Sequence, residues 1–257
     1  MDFTEIILDM EGPLARLTLN QPDKANALSR TMIAELKQAM DQIAASDAQV
    51  VILTGAGKNF CAGHKLDEMV GQEASVYMQI FADCTAMMRR LRALRQPVIA
   101  AVRGVATAAG CQLAASADLA VAESTASFGT PGVRIGLFCS TPAVALVRLI
   151  GRRRALEMLL TGRLVPAAQA LEWGLVNQVV EPEELMPAAE RLAGSIAEAS
   201  PLTVALGKQT FYDQVERPEP EAYNLVTPAM SLHLGMHDAQ EGISAFLEKR
   251  DPVWKGC

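Results

Sequence analysis

The stretch GVATAAGCQLAASADLAVA, residues 104–122, decides the fold. Most of it is a run of small residues that contains one polar amide, Gln112. It runs into LAVAE (119–123), a mostly apolar segment typical of a buried parallel strand. A similar run, PVIAAV at residues 97–102, stands just before it. The order strand, glycine-rich corner, short helix and strand predicts an α/β protein.

The chain upstream continues this alternation. EIILDM (5–10) and LARLTLN (14–20) flank a Gly-Pro turn and predict a β-hairpin. VVILTG (50–55) predicts another buried strand. Ser29 is expected to cap a helix whose apolar residues recur every three or four positions. A second, longer helix with the same periodicity is expected to follow the strand at 50–55.

The second half predicts more helix than strand. Residues 127–136, SFGTPGVRIG, are expected to form an extended, glycine-rich turn region. Prolines mark expected helix starts and glycines expected helix ends: Pro166, Pro182, Gly162 and Gly174. The chain from about Ser200 has few strand-forming runs and resembles a helical appendage, which is either an oligomer contact or a plain surface.

Composition narrows the class of protein. The 257 residues are 50% apolar and 20% charged, enough for one large core, and the net charge of -6 gives no support to nucleic acid as a partner. Five scattered cysteines without a CxxC pair predict free thiols in a reducing compartment. His233 and His237 lack a third ligand nearby, so no metal site is expected. Without a recognisable signal or transit peptide or an apolar run of spanning length, a cytoplasmic protein that does not bind membranes is expected.

Two strand-to-helix corners carry the functional signal. GKNFCAGHKLDEM (57–69) and VRGVATAAGCQLA (102–114) both place small residues where the backbone turns. Amides at a helix start are unpaired and lie at the positive end of the dipole, so two that converge would bind an oxyanion. Alternatively, the small residues simply permit close packing of helix on sheet. No GxGxxG follows the first strand, which excludes a dinucleotide fingerprint.

Six segments in order carry a resemblance to a known family: PDKANAL (22–28), FCAGHKL (60–66), GVATAAGCQLAASADLAVA (104–122), FGTPGVRIGL (128–137), EWGLVNQVV (172–180) and AFLEKRDPVW (245–254). Together they resemble the enoyl-CoA hydratase/isomerase (crotonase) family, and most of all its enoyl-CoA hydratase domain-containing subgroup. The resemblance implies a spiral of ββα units over residues 1–199 and a C-terminal helical trimerisation segment over 200–257. It also implies a homotrimer or hexamer that binds acyl-CoA thioesters and needs no cofactor beyond the coenzyme A of its substrate.

By the same resemblance, backbone N–H groups of His64 and Ala109 form an oxyanion hole for the thioester oxygen. Contact with the CoA portion is implied for the following residues: Lys24, Ala25, Ala27, Lys58, Ala62, Gly63, Lys65, Leu66, Gly110 and Lys249. Each lysine alone would be an ordinary surface charge. Lys65 stands where the family commonly has Asp, and Asp67 where it commonly has Lys, which weakens any charge assignment there.

The departures concern proton transfer. The two glutamates that position and activate water in the family correspond here to Gln112 and Gly132, and neither side chain titrates near neutral pH. His64 and Cys139 are candidates to replace them, although a lone His or buried Cys is more often structural. The sequence therefore predicts an acyl-CoA-binding protein, nominally a lyase, with doubtful hydratase activity. An isomerase, an acyl-CoA hydrolase and a catalytically silent acyl-CoA binder remain alternatives.

Overall fold

The fold places a mixed β-sheet between layers of helices, and the computed structural model describes residues 3–257. Met1 and Asp2, the first two positions of the predicted core segment, lie outside the described residues. The strands are β1 (Ile6–Glu11), β2 (Leu14–Leu19), β3 (Val50–Gly55), β4 (Val98–Val102), β5 (Val105–Thr107), β6 (Leu119–Glu123), β7 (Ser127–Gly129), β8 (Leu164–Pro166) and β9 (Gln178–Val180). The helices are α1 (Arg30–Ala44), α2 (Ala74–Ala93), α3 (Ala109–Ser116), α4 (Ser140–Thr161), α5 (Ala167–Trp173), α6 (Leu185–Ala197), α7 (Pro201–Gln214), α8 (Glu219–Leu234) and α9 (His237–Glu248).

The main sheet has the strand order β1-β2-β3-β4-β6-β9. Only the β1–β2 hairpin is antiparallel, and the other neighbours pair in parallel. Every residue of β3 and of β4 is buried, because helices cover both faces at the centre of the sheet. The hairpin and the strands expected at residues 50–55, 97–102 and 119–123 are confirmed.

The first two helices also follow the sequence prediction. Ser29 caps α1, because its hydroxyl oxygen accepts a hydrogen bond from the Met32 N–H at 2.9 Å. The apolar stripe of α1 faces the sheet and is buried. In α2 the buried stripe runs from Ile80 to Leu91, while Val76, near the solvent-exposed start, is only half-buried.

The region at residues 127–136 differs from the expected extended turn. Only Ser127–Gly129 is extended, as β7, and it pairs with β5 and β8 in a small second sheet. Pro131–Ile135 forms a 3-10 helix instead, since Pro131 sets a helical φ at its first position and Gly136 closes it with a left-handed φ of 79°. Strands β5, β8 and β9 have only three residues each and give no periodic signal.

The C-terminal helices begin where the appendage was expected, with Ser200 as the N-cap of α7. A buried cluster ties α7 to the sheet: Lys208 Nζ and the Tyr212 hydroxyl both donate to the Asp118 carboxylate, at 2.7 and 2.8 Å. His233 and His237 lie on α8 and α9, on either side of a turn, and no group of three metal-ligating side chains occurs within residues 3–257. Across the same range, no helix combines the length and the apolar character needed to cross a bilayer.

Candidate active site

The two glycine-rich corners meet in space. The Cys61 N–H donates to the Val105 carbonyl at 3.1 Å, and the Thr107 N–H donates back to the Cys61 carbonyl at 2.9 Å. The Thr107 hydroxyl adds a bond to the Ala62 carbonyl at 3.1 Å. This parallel bridge locks the loop after β3 against β5, directly before α3 begins.

Two glycines permit the close approach at this junction. A Cβ on Gly110 would lie 2.1 Å from the Cys61 carbonyl oxygen, a distance that no side chain tolerates. Gly63 has a φ of +98°, and a Cβ there would lie 2.9 Å from the Ala108 Cβ and 3.3 Å from the Ala109 nitrogen. The backbone at Gly63 therefore contacts the first residue of α3.

This contact leaves two backbone donors side by side. Across residues 3–257, the N–H groups of His64 and Ala109 have no backbone or side-chain acceptor, although their neighbours Lys65 and Ala108 do. Ala108 is held at φ 50° and ψ -119°, a conformation that a non-glycine residue rarely adopts. Strain of this kind is typical of functional sites, and here it directs the start of α3 toward the loop. The pair has the composition of an oxyanion hole.

Both donors border a cavity of about 520 Å³. Its walls are mostly apolar: Leu66, Met69, Phe81, Ile135, Leu137 and Phe138. No Asp or Glu lines it in the described part of the chain. A site of this size and polarity suits an apolar group attached to a carbonyl.

His64 belongs to the cavity wall. It packs edge-on against Phe81, with ring centroids 5.4 Å apart. Its Nε2 is buried and has no hydrogen-bond partner within residues 3–257. Burial lowers the pKa of His64 below its ordinary value, an effect that the nearby Glu68 carboxylate only partly opposes. The imidazole is therefore neutral at pH 7 and able to accept a proton.

Gly132 is buried at the cavity edge and has no room for a side chain. A Cβ at this position would lie 2.2 Å from the Leu137 carbonyl oxygen and 2.7 Å from Cys139 Sγ. The thiol of Cys139 thus occupies the space beside Gly132, and burial raises its pKa, which keeps it protonated. The Leu137 carbonyl and the Cys139 thiol therefore take up the space that a glutamate side chain at position 132 would need.

Gln112 does not line this cavity. Its side chain is 6% exposed and faces a neighbouring cavity of about 290 Å³ between α2, α3 and α4. Its Oε1 has no hydrogen-bond partner in the chain from residue 3 onward. The family position expected to hold an acid thus carries a buried amide one helical turn away from the oxyanion hole.

The segment expected to contact CoA adjoins the oxyanion corner. The Ala62 N–H donates to the Ala25 carbonyl at 3.0 Å, and the Leu28 N–H donates to the Gly63 carbonyl at 2.7 Å. Asn26, fully buried, fastens the two loops by donating from Nδ2 to the carbonyls of Ala56 and Asn59 at 2.9 and 2.7 Å. No sequence pattern singled out Asn26, because its role depends on a loop about thirty residues away.

The lysines fall into three environments. Lys24 and Lys58 are exposed on the two adjoining loops. Lys65 donates to the Glu68 carboxylate at 3.3 Å, which raises its pKa and partly neutralises its charge. Lys249 is exposed at the end of α9, a helix that packs against α7 and α8.

Arg134 was not anticipated from the sequence. It lies on the 3-10 helix of Pro131–Ile135, lines the large cavity and has no ion-pair partner in the described chain. In the sequence, only its position next to the proline-glycine turn could have indicated a role at the site. It adds a cation at the cavity mouth that a negatively charged ligand would meet.

Comparisons with known proteins all give the same family. A family model described as enoyl-CoA hydratase/isomerase matches residues 9–257. A Xenopus laevis protein named enoyl-CoA hydratase domain-containing protein 3, mitochondrial, is 44% identical, covering 96% of this chain and 85% of that protein. A crotonyl-CoA hydratase of Syntrophomonas wolfei is 36% identical over 97% of both chains. The crystal structure of an enoyl-CoA hydratase from Mycobacterium smegmatis superposes with a TM-score of 0.95 at 44% identity, covering 98% of this chain and 99% of that one. The resemblance and the fold expected from the sequence are confirmed.

One sequence expectation is wrong on this comparison. The chain was expected to be cytoplasmic, yet the Xenopus relative and its rat and human counterparts all carry the word mitochondrial in their names. The expectation rested on the absence of a leader pattern and on free thiols. Both features are compatible with any reducing compartment, so they do not distinguish the cytoplasm from another one.

Proposed function

Since the chain belongs to the enoyl-CoA hydratase/isomerase family, we propose that it binds acyl-CoA thioesters and stabilises the enolate of the thioester with the N–H groups of His64 and Ala109. The observation that carries this proposal is the pair of adjacent, unpaired N–H groups beside an apolar cavity. Each such donor contributes on the order of 3 kcal/mol to stabilising the negatively charged oxygen.

Hydration of an enoyl-CoA is not the reaction this site favours. Adding water across a double bond needs groups that activate the water and deliver a proton, each worth about 10²- to 10⁴-fold. Gly132 offers no side chain, Gln112 does not titrate, and no carboxylate lines the cavity within the described residues. We infer that crotonyl-CoA is hydrated slowly, if at all.

Proton transfer at the α-carbon, as in an isomerase, is the second candidate function, and the His64 ring supports it. His64 lines the cavity, and its Nε2 has no hydrogen-bond partner within residues 3–257. A rotation of the imidazole that brings this buried nitrogen to the cavity surface would let it take a proton from C2 of the thioester. The electron pair of the broken C–H bond then moves onto the thioester oxygen, where the two N–H groups hold it. Return of the proton to C2 or C4 would exchange or isomerise the acyl group.

The CoA moiety and the assembly complete the proposal. We infer that Lys24, Ala25, Ala27 and Lys58 contact the nucleotide part of CoA beside the oxyanion corner, with no metal or further cofactor. The C-terminal helices expose large apolar side chains, Met230, Leu232, Phe246 and Leu247, between 71% and 82% exposed. Such a face favours self-association, and a homotrimer or hexamer is proposed. Light scattering of the purified protein tests the assembly.

Two measurements on the purified protein test the function. We expect crotonyl-CoA hydration at least about 10³-fold slower than in a relative that carries both glutamates, from the loss of both acid–base groups. We also expect the α-protons of butyryl-CoA to exchange with deuterium from D₂O, followed by NMR. Hydration at the relative's rate would overturn the proposal. Binding without exchange would favour a silent acyl-CoA binder, and release of free CoA would favour a hydrolase.

A further inference from the structure

A second cavity lies directly behind the first, along the same three helices. It has a volume of about 290 Å³ and is bordered by α2, α3 and α4. On α2, Phe81 lines the first cavity and Thr85 the second, while Thr141 on α4 lines both. On α3, Ala109 lines the first and Gln112 the second. The second cavity is therefore about one helical turn, or about 5.4 Å, beyond the oxyanion hole.

An acyl chain that runs along α3 from the oxyanion hole would reach this position. With the thioester carbonyl at the Ala109 N–H, Gln112 and Ser116 follow at about 4.5 and 10.5 Å along the α3 axis, from a rise of 1.5 Å per residue. The distal end of a medium-length acyl group would reach between them. What the second cavity offers therefore determines which acyl groups are accepted.

The second cavity offers a polar end point. Gln112 is 6% exposed, and its amide oxygen has no hydrogen-bond partner in the described chain. Leaving such a group unpaired costs stability, so the orphan amide calls for a partner, which a bound ligand would supply. Because the two ends of an amide group are exchangeable by rotation, Gln112 can present its NH₂ to an acceptor.

Two cations complete the polar end. Arg89 and Arg92 stand three residues apart on α2, line the second cavity and have no ion-pair partner within residues 3–257, whereas Arg90 between them pairs with Asp41. The Arg92 guanidinium also stacks over the Tyr212 ring, 5.1 Å from its centroid. Arg89 makes no such contact with an aromatic ring within the described residues. No carboxylate lines this cavity within the described residues.

We propose that the acyl-CoA substrates of this protein end in a carboxylate, which binds Arg89 and Gln112 in the second cavity. The proposal rests on the function proposed above and names the class of its substrate: the CoA thioester of a dicarboxylic acid. The apolar first cavity accepts the methylene chain, and the arginine provides a forked donor for the terminal carboxylate. A plain fatty acyl group would leave the buried amide of Gln112 unpaired.

Calorimetric titration with matched thioesters tests this. Adipoyl-CoA and hexanoyl-CoA have equal chain lengths, and the methyl ester of adipoyl-CoA keeps the polar end without its charge. The wild-type protein is expected to bind adipoyl-CoA about tenfold to a hundredfold more tightly than either, the range for a hydrogen bond to a charged group. Arg89→Leu should remove this preference and leave hexanoyl-CoA binding unchanged. Arg90→Leu, on the same helix, is the control and should retain the preference.

The outcomes separate the two proposals. Equal affinity for adipoyl-CoA and hexanoyl-CoA, or an equal loss of both in Arg89→Leu, would refute the carboxylate site while leaving thioester binding intact. If none of the thioesters binds the wild-type protein, the proposed function itself fails, and the carboxylate site fails with it.

Discussion

Restoring a side chain at Gly132 should damage the protein before it restores any chemistry. The smallest addition, Gly132→Ala, places a Cβ 2.2 Å from the Leu137 carbonyl oxygen and 2.7 Å from Cys139 Sγ. The thiol sits at the end of a side chain and can rotate. The carbonyl cannot move away easily, because the Leu137 N–H is bonded to the Gly132 carbonyl at 2.9 Å and closes this turn. The backbone contact therefore sets the cost.

Overpacking of this kind destabilises a folded protein by about 1–3 kcal/mol. For a chain of this size, each kcal/mol lowers Tm by about 2–4 °C, so Gly132→Ala should lower Tm by about 2–12 °C. Gly194→Ala is the matched control. Gly194 lies inside α6, and a Cβ there meets nothing within 4 Å, so this substitution should stabilise the protein by about 0.5–1 kcal/mol.

Thermal unfolding followed by circular dichroism measures both variants, and crotonyl-CoA hydration is assayed in Gly132→Glu. The reasoning predicts lower Tm in Gly132→Ala, higher Tm in Gly194→Ala and no gain of hydration in Gly132→Glu. A Gly132→Ala protein as stable as the wild type would refute the packing argument. A rapid hydratase produced by Gly132→Glu would show that this position still accepts the family carboxylate.

Three further variants follow from the same geometry. Gln112→Glu should leave crotonyl-CoA hydration within about tenfold of the wild-type rate, because Gly132 still lacks a partner acid; strong rescue would contradict the assignment of Gly132. His64→Gln should slow α-proton exchange of butyryl-CoA by about 10²- to 10⁴-fold without changing its affinity. In the wild type the exchange rate should stay level at neutral pH and fall only below about pH 6.5, since the lowered pKa of His64 keeps the ring unprotonated until then; a rate that rises toward acid pH would exclude His64 as the base. Ala108→Gly should stabilise the fold by about 1 kcal/mol in urea unfolding, because glycine adopts its φ of 50° without strain, and an unchanged midpoint would mean that Ala108 is not strained.

Much of the fold could be predicted from residue patterns. The apolar stripe of α1 has the period of a helix buried on one face, and the continuous apolar runs of β3 and β4 are typical of strands buried on both faces. The three-residue strands β5, β8 and β9 could not be predicted, since they are too short for a pattern and form only where neighbouring backbone supplies partners. Pro131–Ile135 was missed because proline and glycine suit an extended turn and a 3-10 helix equally well.

The candidate site was likewise only partly predictable from the sequence. The two corners were visible as small residues before a helix, and the family resemblance implied His64 and Ala109 as their backbone donors. The motifs could not show that Gln112 faces a separate cavity or that the Cys139 thiol fills the space beside Gly132. Those relations depend on packing between distant segments. Arg89 was not predicted either, because an arginine on a helix ordinarily belongs to its solvated face.

The pair of backbone donors is the central claim, and isotope-edited infrared spectroscopy of bound hexanoyl-CoA tests it most directly. With ¹³C in the thioester carbonyl, the C=O stretch of the bound ligand can be separated from the protein amide bands. If the N–H groups of His64 and Ala109 both donate to this oxygen, the stretch should move to lower frequency than in free hexanoyl-CoA. A bound ligand whose carbonyl stretch stays at the free frequency, or rises as in an apolar solvent, would contradict the account.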